Sequence, residues 1–120
     1  MPGELRVVAL RGVLWRACYE LLATGVRAPD WTFMNYGYAA PAGEPQLSLA
    51  AADEPDRQCI QLYERVLADV DLTGLDVLEV GSGRGGGAAY LSRSRGARSG
   101  TGLDFSQRAV ALSNRRHVDR

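Results

Sequence analysis

The chain contains no lysine, and this absence excludes several kinds of chemistry. Its 14 basic residues are all arginine, and 14 acidic residues balance them over a length of 120 positions. Without an amine side chain, the protein can supply neither the lysine of a phosphate-binding loop nor a Schiff base. Phosphate-loop nucleoside triphosphatases and pyridoxal enzymes are therefore excluded.

Cysteine and histidine are scarce as well. Two cysteines, Cys18 and Cys59, are too few and too far apart for a disulfide framework. His117 is the single histidine, so the sequence predicts no metal site. We expect His117, at the far end of the last predicted helix, to be a surface residue and not a catalytic base.

Long apolar runs are missing near the beginning of the sequence. The run from Val7 to Leu10 ends at Arg11, which makes it too short for a secretion signal or a membrane span. We therefore expect a cytoplasmic protein. Residues 5–22 have apolar side chains at spacings of three and four, which predicts an amphipathic helix that stops before Gly25. We favour packing of this helix on its own domain, and the alternative is a noncatalytic fragment that uses the helix to bind the inner membrane face or a partner chain.

Prolines and glycines interrupt the sequence between residues 28 and 55, which predicts a loop with short helical turns. The loop contains an aromatic cluster of Trp31, Phe33, Tyr36 and Tyr38. Acidic residues and Pro55 then indicate a helix start near Asp53, and the helix with its apolar face continues to about Ala68 or Val70. Residues 1–72 are thus predicted to form an amino-terminal region of helices and an aromatic loop.

A glycine-rich segment over residues 81–87 follows a short β-rich run over residues 75–80 and precedes a helix that ends at about Arg93. The β-rich run has the pattern of a parallel strand buried on both faces. Glycines tolerate positive φ angles and let a ligand approach the backbone, and the helix start offers N–H donors. The pattern predicts a site for a negatively charged or carboxylate-bearing ligand.

A second strand and helix complete the pattern. Residues 99–106 are predicted to form a strand that carries Asp104, and residues 107–116 a helix capped by Ser106. A carboxylate at the carboxyl end of this strand can accept hydrogen bonds from both hydroxyls of a ribose. Residues 73–120 are therefore predicted to be a β-α-β-α unit that binds a nucleoside.

Two classes of cofactor fit the glycine loop. The loop matches the dinucleotide pattern G-x-G-x-x-G over residues 81–86 and also the pattern E-x-G-x-G-x-G over residues 79–85. The second pattern is motif I of class I S-adenosylmethionine methyltransferases. Glu79 favours S-adenosylmethionine, because an acid suits a cationic amino acid and repels a pyrophosphate. A fragment of a dinucleotide-binding oxidoreductase and a glycine turn without a ligand remain alternatives.

The sequence also resembles a known family. LDVLEVGSGRGGGAAYL (75–91) and TGLDFS (101–106) resemble motif I and the second-strand acid of class I methyltransferases. More narrowly, the family of phthiotriol/phenolphthiotriol dimycocerosates methyltransferases is resembled by FMNYGYA (33–39), DEPDRQCIQLYERV (53–66), EVGSGRGGGAAYLSR (79–93) and TGLDFSQRAVALSNRRH (101–117). The resemblance covers roughly residues 10–117. It implies an α/β fold, namely the amino-terminal portion of a Rossmann-like class I methyltransferase with an incomplete parallel sheet preceded by helices.

The resemblance also implies a reaction and a set of binding residues. The implied reaction transfers a methyl group from S-adenosylmethionine to a hydroxyl on a lipid or polyketide-derived chain, chiefly by aligning the reactants. Asp104 would hold the ribose and Phe105 would pack near the adenine, while the segment around Tyr36 and Tyr38 would cover the cofactor. The residues assigned to the cofactor are Glu79, Gly81, Gly83, Gly85, Asp104, Phe105, Tyr36 and Tyr38. No residue is assigned as catalytic.

The predicted sheet is too small for a complete domain of this family. A stable sheet generally has about three strands or more and cover on its apolar faces. We therefore expect a truncated chain or one half of a split enzyme, with a complementing chain as a partner beside the hydroxyl acceptor.

Arginine is concentrated in the last third of the sequence, where eight arginines stand against two acids from residue 80 onward. This excess raises RNA binding as an alternative. The arginines are spread over two predicted helices and a loop, whereas a surface that follows phosphates needs them on one face. We therefore expect no nucleic-acid partner.

Overall fold

Four α-helices and two parallel strands make up the regular structure of residues 12–22 and 31–117, the parts of the chain that this computed structural model describes. Residues 12–22 form helix α1. The remaining elements are α2 (Arg57–Val66), β1 (Asp76–Val80), α3 (Gly86–Ser94), β2 (Ser99–Leu103) and α4 (Gln107–His117), and a 3-10 turn at Glu54–Asp56 precedes α2. The start of the predicted first helix and its stop at Gly25 lie outside the described residues.

The two strands pair in parallel, from Asp76 opposite Ser99 to Val80 opposite Leu103. Parallel neighbours need a crossover connection, and α3 supplies it. The predicted α/β class and the β-α-β-α order are therefore confirmed. The arrangement is compatible with part of a Rossmann-like fold.

The segment between α1 and α2 is a loop over residues 31–53, as predicted. Helix α2 ends at Val66, earlier than the predicted end at about Ala68 or Val70, and the Leu67 amide donates to the Tyr63 carbonyl at this end. Ser106 caps α4 as expected, because its hydroxyl accepts a hydrogen bond from the Ala109 amide at 3.1 Å.

The buried core joins the aromatic loop to α2 and α3. It consists of Phe33, Ile60, Leu72, Tyr90, Leu91 and Ala97. These residues come from segments far apart in the sequence, so the loop over residues 31–53 is held against the helices by apolar packing. The core fixes the position of the glycine loop, because α3 begins at its end.

The prediction that the first strand is buried on both faces is wrong. Leu78 and Val80 are 62% and 75% exposed, whereas Val77 packs against the core. Alternate side chains of a strand point to opposite faces. Helix α3 packs against both strands, so the face that carries Val77 is covered and the face that carries Leu78 stays open.

The second strand is shorter than predicted and is rich in glycine for a packing reason. It ends at Leu103, before Asp104. A Cβ atom on Gly100 would lie 2.9 Å from the Ala88 carbonyl oxygen, and one on Gly102 would lie 2.6 Å from the Ser82 hydroxyl oxygen. Glycine therefore lets α3 and the glycine loop lie close to this strand.

Within residues 12–22 and 31–117, the helices are too short or too polar to cross a membrane.

Candidate functional site

The loop between β1 and α3 depends on glycine at three positions. Gly81, Gly83 and Gly85 have φ angles of +81°, +54° and +82°. These angles lie in the left-handed region, which glycine adopts without the steric cost of a side chain. A Cβ atom on Gly81 would have no neighbour within 4 Å, whereas one on Gly83 would lie 3.0 Å from the Met34 sulfur. The loop is therefore open at its first glycine and packed at its second.

Asp104 ties the end of β2 to this loop. Its Oδ2 accepts a hydrogen bond from the Gly83 amide at 2.8 Å, and its Oδ1 accepts one from the Ser106 amide, also at 2.8 Å. A carboxylate oxygen has two acceptor positions, so each oxygen can accept a further hydrogen bond. The structure thus brings Asp104 and Gly83 together, and the assignment of Asp104 to a ribose stays a prediction.

The start of the loop continues the pairing of the two strands. The Leu103 carbonyl accepts hydrogen bonds from the Gly81 amide at 2.7 Å and from the Ser82 amide at 3.1 Å. The carboxyl ends of β1 and β2 consequently meet at one edge of the sheet. Ligands of open α/β sheets bind at this edge.

Glu79 points inward from β1 toward α2. Its Oε1 accepts a hydrogen bond from the Tyr63 hydroxyl, and its Oε2 is buried with no hydrogen-bond partner in the described part of the chain. Burial raises the pKa of Glu79, and the charge of Asp104 adds to this, while the Tyr63 hydroxyl and the Ala88 amide lower it. Burial and the bond to Glu79 likewise raise the pKa of Tyr63.

The beginning of α3 offers fewer donors than the sequence suggests. The Gly86 amide donates to the Thr32 carbonyl at 3.3 Å. The Ala88 amide acts on the Glu79 carboxylate, since it lowers the pKa of that group. The Gly86 amide of the first turn is therefore directed at a protein oxygen from a segment that lies elsewhere in the sequence.

An aromatic pair stands beside Asp104. Phe105 is 52% exposed, and its ring centroid lies 4.9 Å from that of Tyr19 on α1, with the planes tilted by 43°. The Tyr19 hydroxyl donates to the Met34 sulfur at 3.5 Å. Burial and the nearby charge of Asp104 raise the pKa of Tyr19. The sequence did not identify Tyr19 or Met34 as site residues, although Tyr19 lies on the predicted amphipathic helix.

Tyr36 and Tyr38 have other surroundings. Tyr36 is fully exposed. The Tyr38 hydroxyl donates to the Glu44 carboxylate at 3.4 Å, and the Arg65 guanidinium lies 5.8 Å from its ring centroid. The contacts found within residues 31–117 do not bring these tyrosines to the glycine loop, whereas the neighbouring Met34 reaches it. Their role over a cofactor stays a prediction.

Arg84, in the middle of the glycine loop, is 2% exposed, although the sequence pattern favoured a solvated arginine surface. Its guanidinium donates to the carbonyls of Leu22 at 3.2 Å and Trp31 at 3.1 Å, and it lies 4.5 Å from the Trp31 ring centroid. Buried charges require such partners. Arg84 therefore anchors the end of α1 and the start of the aromatic loop to the glycine loop.

His117 is half-buried at the end of α4, whereas the sequence placed it on the surface. A Cβ atom on Gly85 would lie 3.2 Å from the His117 Cδ2 atom, so this imidazole packs against the glycine loop. Among the described residues, no group of three or more His, Cys, Asp or Glu side chains could hold a metal ion.

The proteins to which this chain is similar are methyltransferases. The chain is 42% identical over 104 residues to the phthiotriol/phenolphthiotriol dimycocerosates methyltransferase of Mycobacterium tuberculosis (strain ATCC 25618 / H37Rv). The aligned residues are 87% of this chain and 38% of the relative. This chain is 38% identical, with the same two coverages, to the protein of that name from Mycobacterium leprae (strain TN). A fatty-acid O-methyltransferase of Mycolicibacterium smegmatis (strain ATCC 700084 / mc(2)155) is 41% identical over 101 residues, which are 82% of this chain and 36% of the relative.

These similarities confirm the resemblance. The chain is a homologue of the phthiotriol/phenolphthiotriol dimycocerosates methyltransferases and spans about 38% of the length of the relatives it matches. No family model matches the sequence. No solved structure matches it either.

Proposed function

We propose that this chain carries the S-adenosylmethionine-binding half of a methyltransferase site. The observation that carries the proposal is the contact of Asp104 with the left-handed glycine loop at the carboxyl edge of two parallel strands. This arrangement leaves acceptor positions on a carboxylate at the place where open α/β sheets bind nucleosides. The methyltransferase homologues support a methyl donor as the ligand.

The residues of the site fit the separate parts of this cofactor. Asp104 has acceptor positions for ribose hydroxyls, and the exposed Phe105 ring offers a flat apolar surface for adenine. The open space at Gly81 lets a ligand approach the backbone. Glu79 has a buried oxygen without a partner among the described residues, and this oxygen suits the ammonium group of the methionine part.

When bound, S-adenosylmethionine supplies an electrophilic methyl group, and the residues of this chain bind and orient it. We propose as methyl acceptor a hydroxyl on a lipid or polyketide-derived chain. The names of the relatives support a lipid as the acceptor, since they refer to phthiotriol dimycocerosates and to a fatty acid. We further propose that a complementing chain, or sequence that the relatives have in addition, completes the acceptor pocket.

Calorimetric titration of the chain with S-adenosylhomocysteine tests the proposal. We expect binding by the wild type and at least about a tenfold weaker affinity for Asp104→Ala, because hydrogen bonds to a charged group contribute about 1.5 to 3 kcal/mol. The matched control is Asp76→Ala, an exposed carboxylate at the opposite end of β1, which should leave the affinity unchanged. Equal affinities of the wild type and Asp104→Ala, or binding of NADH in place of S-adenosylhomocysteine, would contradict the proposal.

A further inference from the structure

The two oxygens of the Glu79 carboxylate differ in their surroundings. Oε1 accepts the hydrogen bond from Tyr63, a residue of α2 that is distant in sequence. Oε2 is buried and has no hydrogen-bond partner within residues 12–22 and 31–117. A buried carboxylate oxygen without a partner is costly, so this oxygen is suited to a donor that arrives with a ligand.

The Tyr63 ring packs against Gly87 and Phe33. A Cβ atom on Gly87 would overlap the Tyr63 ring and hydroxyl, so the lack of a side chain at Gly87 provides the space for them. The buried Phe33 ring meets the Tyr63 ring edge-on, with centroids 5.9 Å apart. The Tyr63 ring is therefore packed on two sides, and its hydroxyl donates to the Glu79 carboxylate.

The negative charge near Glu79 also favours a cation as the partner of its carboxylate. The ion pairs within the described residues do not include Glu79, and the nearby charged group that acts on it is the carboxylate of Asp104. Asp104 and Glu79 flank the glycine loop at its two strands, so a ligand cation near Glu79 would lie within the same site. Two negative groups favour a positively charged partner.

We propose that Tyr63 is a positioning residue that holds Glu79 so that Oε2 accepts a hydrogen bond from the ammonium group of the cofactor's amino-acid part. The inference rests on the proposed function. Tyr63 does not itself contact the reacting atoms, and it acts through the Glu79 carboxylate. The sequence does not mark Tyr63, since it appears there as one apolar position of a helix.

Binding of two ligands to the full chain tests the inference. S-adenosylhomocysteine carries the ammonium group, whereas 5′-methylthioadenosine shares the thioether nucleoside and lacks the amino acid. For Tyr63→Phe, which keeps the ring, we expect roughly tenfold weaker binding of S-adenosylhomocysteine, the size of effect for a hydrogen bond to a charged group. Binding of 5′-methylthioadenosine should be unchanged.

The control is Tyr90→Phe. The Tyr90 hydroxyl donates to Glu64 at 2.9 Å, so this variant removes a tyrosine-to-carboxylate hydrogen bond at another place. We expect it to leave the affinities for both ligands as in the wild type. A loss shared by both ligands in Tyr63→Phe, or no loss for either, would overturn the inference and leave the proposed function intact.

A measurement without ligand separates the two proposals further. In a carbon-13 NMR titration, the pKa of Glu79 should be higher in Tyr63→Phe than in the wild type, because the variant lacks a donor that lowers it. An unchanged Glu79 titration would contradict the positioning role. Failure of the wild type to bind either ligand would instead refute the proposed function, and the cofactor part of this inference with it.

Discussion

Removal of the Asp104 carboxylate should destabilise the chain itself, even before any ligand is added. Both oxygens accept hydrogen bonds from backbone amides at 2.8 Å, one from Gly83 and one from Ser106. Asp104→Ala leaves both amides without this acceptor, and Asp104→Asn leaves one of them so, because an amide group has a single acceptor oxygen. Asp104→Ala therefore removes two hydrogen bonds, and Asp104→Asn removes one.

The magnitude follows from the type of bond. Hydrogen bonds to charged groups contribute about 1.5 to 3 kcal/mol each, and the lower value applies here because Asp104 is half-buried. We expect the free energy of unfolding to fall by about 3 kcal/mol for Asp104→Ala and by about 1.5 kcal/mol for Asp104→Asn. Urea unfolding followed by circular dichroism measures both values.

The control for this prediction is Asp76→Asn. Asp76 bonds to Arg98 and Ser99, but both members of its ion pair are more than half exposed. Exposed ion pairs contribute little to stability, because water and salt screen their charges. If Asp104→Ala lowered the free energy of unfolding no more than Asp76→Asn does, the view that Asp104 ties the strand end to the glycine loop would be refuted.

Three further variants test the fold and the loop. Gly85→Ala should destabilise the chain by at least about 1 kcal/mol in urea unfolding, because the left-handed φ of Gly85 disfavours a side chain and the added Cβ would overlap Ser113. An unchanged midpoint of the urea unfolding curve would contradict this loop geometry. Glu79→Gln should gain stability relative to the wild type as the pH rises above the ordinary pKa of glutamate, because a raised pKa in the folded state makes the wild type lose stability over that range. A difference that stays constant with pH would count against the burial of Glu79. Ile60→Ala should lower the free energy of unfolding by about 3 kcal/mol, because Ile60 is fully buried. At the exposed Val66, the change to alanine should lower it by less than about 0.5 kcal/mol. Similar losses for the two variants would show that α2 packs differently.

The local elements of this fold were predictable because each has its own sequence pattern. The glycine loop between a β-rich run and a helix predicts a strand, a turn and a helix start, and Ser106 marks the start of α4. The ends of the elements were less predictable. The second strand ends at Leu103 and not at Ser106, since the Asp104 carboxylate bonds to the Gly83 amide beyond the ladder.

Contacts between distant segments were not predictable from these patterns. Tyr63 and Glu79 are 16 positions apart, and Arg84 reaches the Leu22 carbonyl across 62 positions. Neither pairing leaves a periodic signal, because it depends on how helices pack and not on local spacing. The prediction that β1 is buried on both faces was wrong for the same reason, since the sequence pattern of a strand does not show which of its faces other elements pack against.

The most direct test of the account follows backbone amides by nitrogen-15 NMR while S-adenosylhomocysteine is added to the chain. We expect the largest shifts at Gly81, Gly83, Asp104 and Phe105, which lie together at the carboxyl edge of the two strands. Saturable shifts at these amides would agree with a nucleoside held between the glycine loop and Asp104. Shifts confined to other parts of the chain, or none at millimolar ligand, would contradict it.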